Sequence, residues 1–354
     1  MDNRFWRDRR VLLTGHTGFK GCWTLLWLQR LGAEVHGLAL EPPEGQSLWR
    51  GLGAPLGDAS LGDIRDVDRV VEAFEKARPE IVIHMAAQAL VHPSYEDPSG
   101  TFDTNVMGLV RILDAARSTA SVRAVVNVTS DKCYENREQI WAYREDEPMG
   151  GSDPYSASKG CAELVTASYR RSFFNKPEGP WLASGRAGNV IGGGDWAKDR
   201  LIPDCVRAFS ADQPVLIRNP LATRPWQHVL EPISGYLALA QALMERGAEV
   251  ADGWNFGPSD TDAWPVGRVV DLAVRAWGEG ARSELDPKSH AKEAMLLRVD
   301  PTKARTRLNW RSRLTVQQGL SWTLDWYKHV LEGGEPLEMT SRQIQAYEAI
   351  GVEV

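Results

Sequence analysis

The sequence predicts an α/β protein in which a doubly wound parallel sheet is joined to a smaller C-terminal lobe. Short apolar runs alternate with amphipathic stretches as far as about residue 190, and runs such as 81–83 and 124–126 contain no polar residue. Strands that are covered by helices on both faces have this continuous apolar character. Beyond residue 190 the alternation breaks into shorter pieces, which indicates the second lobe.

Composition is that of an ordinary globular protein. The chain has 354 residues, of which 43% are hydrophobic and 25% charged, and its net charge is -6. This charge favours neither nucleic acid nor an anionic membrane as a partner, and no apolar run approaches the ~18 residues of a membrane span. The N-terminus is mostly charged and shows no signal sequence. Four widely spaced cysteines predict reduced thiols, no metal site and a cytoplasmic location: Cys22, Cys133, Cys161 and Cys205.

A glycine-rich turn follows the first apolar run. Val11–Leu13 predicts a strand, and a helix is expected from Phe19 to about Leu31. Between them Gly15, Gly18 and Gly21 follow at three-residue spacing. The first glycine permits a tight turn, the second lets the backbone approach a pyrophosphate, and the third lets the helix pack closely on the strand. This order is typical of a dinucleotide-binding (Rossmann) unit, with the helix N-terminus facing the phosphates.

The second strand is expected at Val35–Leu40. Glu41 comes twenty residues after Gly21, where an acid binds the adenosine ribose 2′-hydroxyl. No arginine follows in the sequence at this turn to receive a 2′-phosphate, so NAD is favoured over NADP. Asp63 opens a helical stretch through Lys76 and either reaches the adenine or caps the helix.

Two further strands end in small or polar residues. Glu80–His84 leads into Met85–Gln88, whose alanines leave room for a cofactor across the strand end. A helix is expected over Asp103–Arg117, and the strand Ala124–Val128 ends in Thr129–Lys132. Ligands of open α/β sheets bind at the carboxyl ends of the strands, so these segments are expected to line the site.

Tyr155 and Lys159 are four residues apart, so a helix places them one turn apart on the same face. A phenol is a poor base near neutral pH because its unperturbed pKa is about 10. A neighbouring ammonium and the positive ring of an oxidised nicotinamide both favour the phenolate. The pair is therefore suited to take a proton from a substrate hydroxyl while a hydride leaves the same carbon.

Basic and aromatic residues follow the expected strand Trp181–Ser184. Arginine binds phosphate through paired hydrogen bonds and tryptophan offers a wall for a base, although each can also be an ordinary surface or core residue. The substrate-binding residues predicted here are Asn189, Asp195, Trp196, Lys198, Arg200, Arg224, Trp226 and His228. Residues 1–188 are expected to form the dinucleotide-binding domain, and 189–354 mainly the substrate lobe, with some segments returning to the first domain.

These motifs make the chain similar to the extended short-chain dehydrogenase/reductases that modify nucleotide sugars. More narrowly, it resembles the CDP-glucose 4,6-dehydratases over about residues 8–330, in the blocks Gly15–Gly21, His84–Gln88, Thr129–Asn136, Gly193–Pro203 and Arg224–Val229. The motifs and the resemblance together assign NAD to Gly15, Thr17, Gly18, Phe19, Gly21, Glu41, Asp63, Ile64, Ala86, Ala87, Gln88, Asn105, Tyr155 and Lys159.

The resemblance implies a lyase that converts CDP-D-glucose to CDP-4-dehydro-6-deoxy-D-glucose and water through bound NAD, in deoxysugar synthesis such as that of O-antigen. Tyr155, supported by Lys159, acts at the sugar 4-hydroxyl, to which Ser130 hydrogen-bonds. Asp131 protonates the departing 6-hydroxyl, provided that burial raises its pKa. Lys132 stands where dTDP-glucose dehydratases carry a glutamate base. It either removes the C5 proton or stabilises the enolate while another group, with Glu135 in reserve, takes that proton.

Other functions stay open at this point. An NAD-dependent nucleotide-sugar 4-epimerase or reductase needs Tyr155 and Lys159 but not the pair Asp131–Lys132. A dehydratase for another nucleotide sugar fits the same residues, because cytosine recognition rests on the resemblance alone. A dinucleotide-binding protein without activity is the remaining alternative. The family suggests a homodimer in which the Tyr155 helix and the Asp103–Arg117 helix pair across a two-fold axis, with a homotetramer as the alternative.

Overall fold

The computed structural model describes residues 3–42, 44–53, 59–177, 179–287 and 294–351. Its strands are β1 (Arg10–Thr14), β2 (Glu34–Ala39), β3 (Ala59–Leu61), β4 (Ile81–His84), β5 (Ala124–Val128), β6 (Trp181–Ala187), β7 (Val190–Ile191), β8 (Val215–Ile217), β9 (Thr223–Pro225), β10 (Gln227–His228), β11 (Gly253–Phe256), β12 (Ala263–Pro265) and β13 (Ser283–Leu285). Its α-helices are α1 (Asn3–Trp6), α2 (Phe19–Arg30), α3 (Leu48–Gly51), α4 (Val67–Ala77), α5 (Val91–Glu96), α6 (Pro98–Phe102), α7 (Gly108–Ser118), α8 (Pro154–Ser172), α9 (Leu201–Ser210), α10 (Leu230–Arg246), α11 (Val266–Trp277), α12 (Thr302–Arg307), α13 (Val316–Leu331) and α14 (Pro336–Ala349).

Seven parallel strands form the central sheet, in the order β3-β2-β1-β4-β5-β6-β11. β1 pairs with β2 on one side and with β4 on the other, so Thr14 lies beside both Leu38 and His84. The chain moves outward from β1 through β2 and β3, and then returns to build the opposite half of the sheet. The order reverses between β1 and β4, where a ligand crevice opens at the carboxyl ends of the strands. The predicted doubly wound parallel sheet is confirmed.

Both faces of this sheet are buried. Val11 and Leu13 of β1 belong to one apolar cluster, whereas Leu12 between them belongs to another. Successive side chains of a strand point to opposite faces, so a strand covered on both sides needs an unbroken apolar run. Helices α2 and α10 supply residues to the first cluster, and α4 and α7 to the second.

The second half of the chain returns to the same sheet. β11 pairs in parallel with β6, which places Phe256 beside Ala187, and α10 packs against β5 and β6. Three two-stranded sheets account for the shorter pieces beyond residue 190: β7 with β10, β9 with β12, and β8 with β13. The division of the chain at residue 188 stays a prediction.

Two local expectations need correction. The helix over Asp103–Arg117 is not one continuous α-helix, because a π-helical turn at Asp103–Met107 joins α6 to α7. π-helical turns are rare and occur mostly as single turns inside α-helices, so a helical sequence pattern is not expected to predict one. The cap of α4 is Asp66, whose side chain accepts hydrogen bonds from the backbone N–H groups of the first turn.

The C-terminal helix α14 is anchored to the sheet domain by a buried carboxylate. Glu231 of α10 is 0% exposed and accepts hydrogen bonds from Leu314 N and from the Tyr347 hydroxyl, both at 2.7 Å. Burial raises the pKa of Glu231 to about 7. A second link joins α14 to α2, where Trp27 Nε1 donates to Glu348 at 2.9 Å.

No helix in the described part of the chain is long and apolar enough to cross a membrane. All four cysteines are free thiols. The cytoplasmic location stays a prediction.

Candidate active site

The ends of β1 and β4 are joined by one threonine hydroxyl. Thr14 Oγ1 accepts hydrogen bonds from the backbone N–H groups of Met85 and Ala86, both at 3.1 Å, and lies 2.7 Å from His84 Nδ1. Burial lowers the pKa of His84 to about 3, so its ring is neutral. These bonds hold the segment after β4 against the turn after β1, which forms the floor of the crevice.

The glycines allow the turn after β1 to pack in direct backbone contact with its neighbours. Gly15 has φ +77°, and a Cβ atom there would lie 2.8 Å from Ala86 N. A Cβ atom on Gly21 would lie 2.0 Å from the Gly15 carbonyl oxygen, so the helix packs directly on the turn. Gly18 is exposed and precedes α2 without a side-chain cap. The first N–H groups of α2 are therefore available to bind a pyrophosphate.

Other predicted cofactor residues lie around this turn. Thr17 donates its hydroxyl to Leu40 O at 2.8 Å, and Glu41 is exposed at the end of β2, where a ribose would be reached. Arg50 donates to Pro42 O at 2.9 Å, so the structure brings a guanidinium to this turn that the sequence spacing did not predict.

Asp63 binds Arg65 in a 2.7 Å ion pair, and Ile64 is buried. The missing side chain of Gly108 makes room for Ile64, since a Cβ atom there would lie 2.6 Å from Ile64 Cδ1. Phe19 lies on the opposite side of the turn, where a Cβ atom on Gly192 would lie 3.0 Å from its ring. These residues frame the crevice without filling it.

Asn105 connects three elements rather than projecting into the crevice. Its Oδ1 accepts from Gln88 N at 2.8 Å, and its Nδ2 donates to Gln88 O at 2.9 Å and to Ser158 Oγ at 2.8 Å. The residue lies in the π-helical turn, and such turns are frequent at functional sites. Asn105 thereby ties the segment after β4 to the helix that carries Tyr155.

Helix α8 presents Tyr155 and Lys159 to the crevice. Asp153 caps the helix through Ser156 N, and Ser94 Oγ accepts a hydrogen bond from Tyr155 N at 3.2 Å. The Lys159 ammonium lies 6.0 Å from the centre of the Tyr155 ring. Burial raises the pKa of Tyr155 to about 12, although its hydrogen bond with Ser130 acts in the opposite direction. Burial lowers the pKa of Lys159 to about 8.

Asp131 lies in surroundings that favour the protonated form of its carboxyl group. Ser130 Oγ donates to Asp131 Oδ1 at 3.0 Å and accepts from Lys132 N at 3.2 Å. The buried Asp131 Oδ2 has no hydrogen-bond partner among the described residues, and a Cβ atom on Gly188 would lie 2.9 Å from it. Burial raises the pKa of Asp131, and the positive charge of Lys132 opposes this only in part. A carboxyl group with an unpaired buried oxygen is stabilised by keeping its proton.

Several cations surround these groups. Arg200 is held by a 2.8 Å ion pair with Asp195 and acts electrostatically on Tyr155. Arg224 is 7% exposed and contributes to the pKa of Asp131. Lys20, in the first turn of α2, was not predicted as a site residue. Burial lowers its pKa to about 8, and the charges of Arg200 and Lys159 act in the same direction. Its position within the motif Gly15–Gly21 is the sequence feature from which it could have been predicted as a site residue.

The predicted substrate residues are only partly brought together. Asn189 and Trp196 are partly buried, and Trp196 packs edge-on against Tyr327, whereas Lys198 is exposed to solvent. Trp226 is 4% exposed, and its Nε1 donates to Trp264 O at 3.0 Å. Glu135, the reserve base, is exposed.

His228 does not lie in the crevice. It is 1% exposed and packs edge-on between Trp23 and Trp322, with ring centres 5.7 and 5.8 Å away. Burial lowers the pKa of His228 to about 3. The structure therefore places this predicted substrate residue in the core, because β10 directs it towards α2 and α13.

These features define a class: a parallel-sheet, dinucleotide-binding enzyme with a tyrosine–lysine pair and a buried acid at the strand ends. The chain belongs to the family described as GDP-mannose 4,6 dehydratase, whose model matches residues 12–323. It is 51% identical to the CDP-glucose 4,6-dehydratase of Salmonella typhimurium over 352 residues, which cover 98% of each chain. It is 29% identical to the dTDP-glucose 4,6-dehydratase of Streptomyces griseus, over 72% of this chain and 74% of the relative.

Solved structures share the fold at lower identity. UDP-glucose 4-epimerase of Thermotoga maritima, solved with UDP-glucose, superposes with a TM-score of 0.77 at 20% identity and covers 91% of this chain and 99% of its own. The dTDP-glucose 4,6-dehydratase of Bacillus anthracis, solved in complex with NAD, has a TM-score of 0.75 at 20% identity and covers 93% and 99%. At this identity the likeness concerns the fold.

The two glycines of the turn are expected to respond differently to alanine. Gly21→Ala forces a Cβ atom against the Gly15 carbonyl, and overpacking of this kind destabilises a protein by about 1–3 kcal/mol. Gly18→Ala is less crowded, with its nearest contact at 3.3 Å, and its stability should change by about 1 kcal/mol or less. Both variants should lose bound NAD, because the methyl group of Gly18→Ala occupies the phosphate approach. Urea unfolding and NAD content after purification separate the two effects, and a Gly18→Ala protein that retains NAD would contradict the assigned phosphate position.

Proposed function

We propose that this protein catalyses the 4,6-dehydration of CDP-glucose to CDP-4-dehydro-6-deoxy-D-glucose and water. Identity of 51% to a CDP-glucose 4,6-dehydratase over 98% of both chains supports the substrate and the reaction. The chemistry is carried by the buried Asp131, whose Oδ2 has no hydrogen-bond partner among the described residues. Burial raises its pKa, and we assign Asp131 as the proton donor beside Tyr155. A 4-epimerase or a reductase has no need for such a donor, since no hydroxyl group leaves the sugar in those reactions.

NAD fits the crevice between β1 and β4. The glycine turn would hold the pyrophosphate, Glu41 would bind the adenosine ribose, and the backbone of Ala86 and Ala87 would lie under the cofactor. NAD held there would supply the hydride acceptor for the oxidation at C4 and the hydride donor for the reduction at C6. An acid at the end of β2 repels a 2′-phosphate, which supports NAD over NADP despite the nearby Arg50.

Tyr155 takes the proton of the sugar 4-hydroxyl. Its raised pKa means that the phenol is protonated in the free protein, so its ionisation depends on nearby positive charge. Lys159, with a pKa of about 8, is charged near neutral pH and supplies part of that charge. Ser130 hydrogen-bonds to Tyr155 and orients the hydroxyl that loses its proton.

Asp131 and Lys132 carry out the elimination. The 4-ketone acidifies the C5 proton, and Asp131 donates its proton to the 6-hydroxyl as that group leaves as water. Lys132 is partly buried beside Asp131 and is assigned to this step. The C5 proton passes either to Lys132 or to a water molecule while the Lys132 charge stabilises the enolate, and a proton is returned to C5 when C6 receives its hydride. The exposure of Glu135 leaves that carboxylate as the weaker candidate for the base.

The substrate diphosphate is assigned to the cationic side of the crevice. Arg200 and Arg224 are both close enough to the catalytic groups to act on their pKa values, and Asp195 holds Arg200 in a fixed orientation. Guanidinium groups fixed in this way bind phosphate oxygens in pairs. Asn189, Trp196 and Lys198 are assigned to the ribose and the nucleotide.

A panel of nucleotide sugars tests this function. The purified protein, without added NAD, is expected to convert CDP-glucose into a product with the base-induced ultraviolet chromophore of a 4-keto-6-deoxy sugar. The dTDP, UDP and GDP sugars should react far more slowly. If another nucleotide sugar reacts faster than CDP-glucose, the proposed mechanism stands and the assignment of cytidine is wrong. No turnover with any of them, even with NAD supplied, would favour the epimerase or the binding protein.

Two variants separate oxidation from elimination. Asp131→Asn should lower kcat by roughly 10²–10⁴-fold, yet substrate recovered from deuterium oxide should still carry deuterium at C5, because the C4 oxidation persists. Tyr155→Phe should abolish both turnover and C5 exchange. Equal C5 exchange in the two variants would contradict the separate roles. Retained NAD in both proteins serves as the control for folding.

We infer a homodimer built on helices α6, α7 and α8. Large apolar side chains are exposed on this face, with Leu164 at 61%, Met107 at 45% and Phe102 at 36%. Helix α6 and the π-helical turn that ends at Met107 both pack against α8, so these side chains lie on neighbouring elements. Burial of such a surface between two copies is worth about 25 cal/mol per Å² of apolar area.

Leu164→Glu is expected to weaken this dimer. A carboxylate at the centre of an apolar interface loses its hydration without gaining a partner. Light scattering should show the mass of the variant falling towards that of a monomer. Leu285→Glu is the matched control, because Leu285 is 67% exposed on β13, away from these helices. A variant that keeps the wild-type mass would place the interface elsewhere.

A further inference from the structure

A buried ion pair lies directly behind the catalytic residues. Glu163 follows Lys159 by one turn of α8, is 3% exposed and makes a 2.7 Å ion pair with Arg186 NH2 of β6. Burial alone acts to raise the pKa of Glu163, but the ion pair with Arg186 outweighs it and holds this pKa below its usual range. Removal of two charges from water is costly unless each has further hydrogen-bond partners.

The partners of this ion pair come from both ends of one short segment. Thr129 donates its hydroxyl to Glu163 Oε1, and Tyr134 OH lies 2.7 Å from Arg186 NH1. Between Thr129 and Tyr134 stand the four residues 130–133, which carry the predicted acid and its neighbours. The segment that performs the elimination is therefore tethered on both sides to the same pair of charges.

Close backbone contact also defines the distance between the segment 130–133 and α8. A Cβ atom on Gly160, the residue after Lys159, would lie 2.6 Å from Gly150 O and 3.3 Å from Cys133 O. The helix thus meets the segment in backbone contact at this turn. Tyr134 OH also donates to Asn255 Oδ1 of β11 at 2.7 Å, which extends the network to the edge of the sheet.

We propose that the Glu163–Arg186 ion pair is a positioning device, which holds the segment 130–133 in register with Tyr155 and Lys159. Oxidation at C4 and elimination across C5 and C6 act on adjacent atoms of one bound sugar, so the two sets of groups must keep a fixed separation. The inference rests on the proposed dehydration. Neither charge touches the substrate, and both act through Thr129 and Tyr134.

Thr129→Val and Ser184→Ala form a matched pair for the test. Each removes one buried hydroxyl from Glu163, since Ser184 Oγ donates to Oε2 at 2.7 Å from the middle of β6. Only Thr129 is joined to the segment 130–133. Both variants should lose thermal stability to a similar extent. In Thr129→Val alone, kcat should fall by roughly ten- to a hundredfold. Thr129→Ser, which keeps the hydroxyl, should restore kcat.

An isotope effect distinguishes positioning from stability alone. With CDP-glucose deuterated at C5, the isotope effect on kcat should increase in Thr129→Val, because elimination has become slower relative to the other steps, and should be unchanged in Ser184→Ala. Tyr134→Phe, which removes the second tether, should show the same increase and serves if Thr129→Val does not fold. Equal losses in Thr129→Val and Ser184→Ala with no change in isotope effect would overturn this inference alone. An inactive wild-type protein would overturn the proposed function together with it.

Discussion

Parallel pairing of β1 with both β2 and β4 is the constraint on which the rest of this structure depends. All strands of a parallel sheet end at the same edge, so segments that are far apart in the sequence meet there. The turn at Gly15 reaches the backbone of Ala86 in this way, and Ser130 after β5 reaches Tyr155 of α8. Gly15 packs against the backbone of Ala86, and Gly21 packs against the Gly15 carbonyl. These contacts hold the turn after β1 against the segment after β4.

Burial at this edge acts on opposite charges in opposite directions. It lowers the pKa values of Lys20 and Lys159 to about 8, and it raises the pKa values of Tyr155 and Asp131. Removal from water disfavours whichever form is charged. These directions suit a dehydration, because burial favours the protonated form of Asp131, while Lys159, with a pKa of about 8, is charged near neutral pH. One physical cause therefore prepares several groups for different tasks.

Polar residues at this edge divide into those that face the crevice and those that hold others in place. Asn105 was predicted to bind the cofactor, but its amide is committed to Gln88 and Ser158. His228 follows a promising basic and aromatic run, yet it packs between two tryptophans in the core. Glu163 could have been noticed as the third residue on the face of Tyr155 and Lys159. Its partner Arg186 comes from a different strand, and no spacing along the chain connects them.

The sequence alone predicts the fold class, the glycine turn and the tyrosine–lysine pair, because each depends on local periodicity or on spacing within a single turn. It also indicated Asp131 as a candidate acid through the resemblance to the dehydratases. Three features become visible only in the folded structure: the π-helical turn at Asp103–Met107, the burial that favours the protonated form of Asp131, and the ion pair behind the catalytic segment. These features arise from desolvation and from contacts between distant segments. Both depend on how the helices and strands pack against one another. Residue spacing along the chain does not predict that packing.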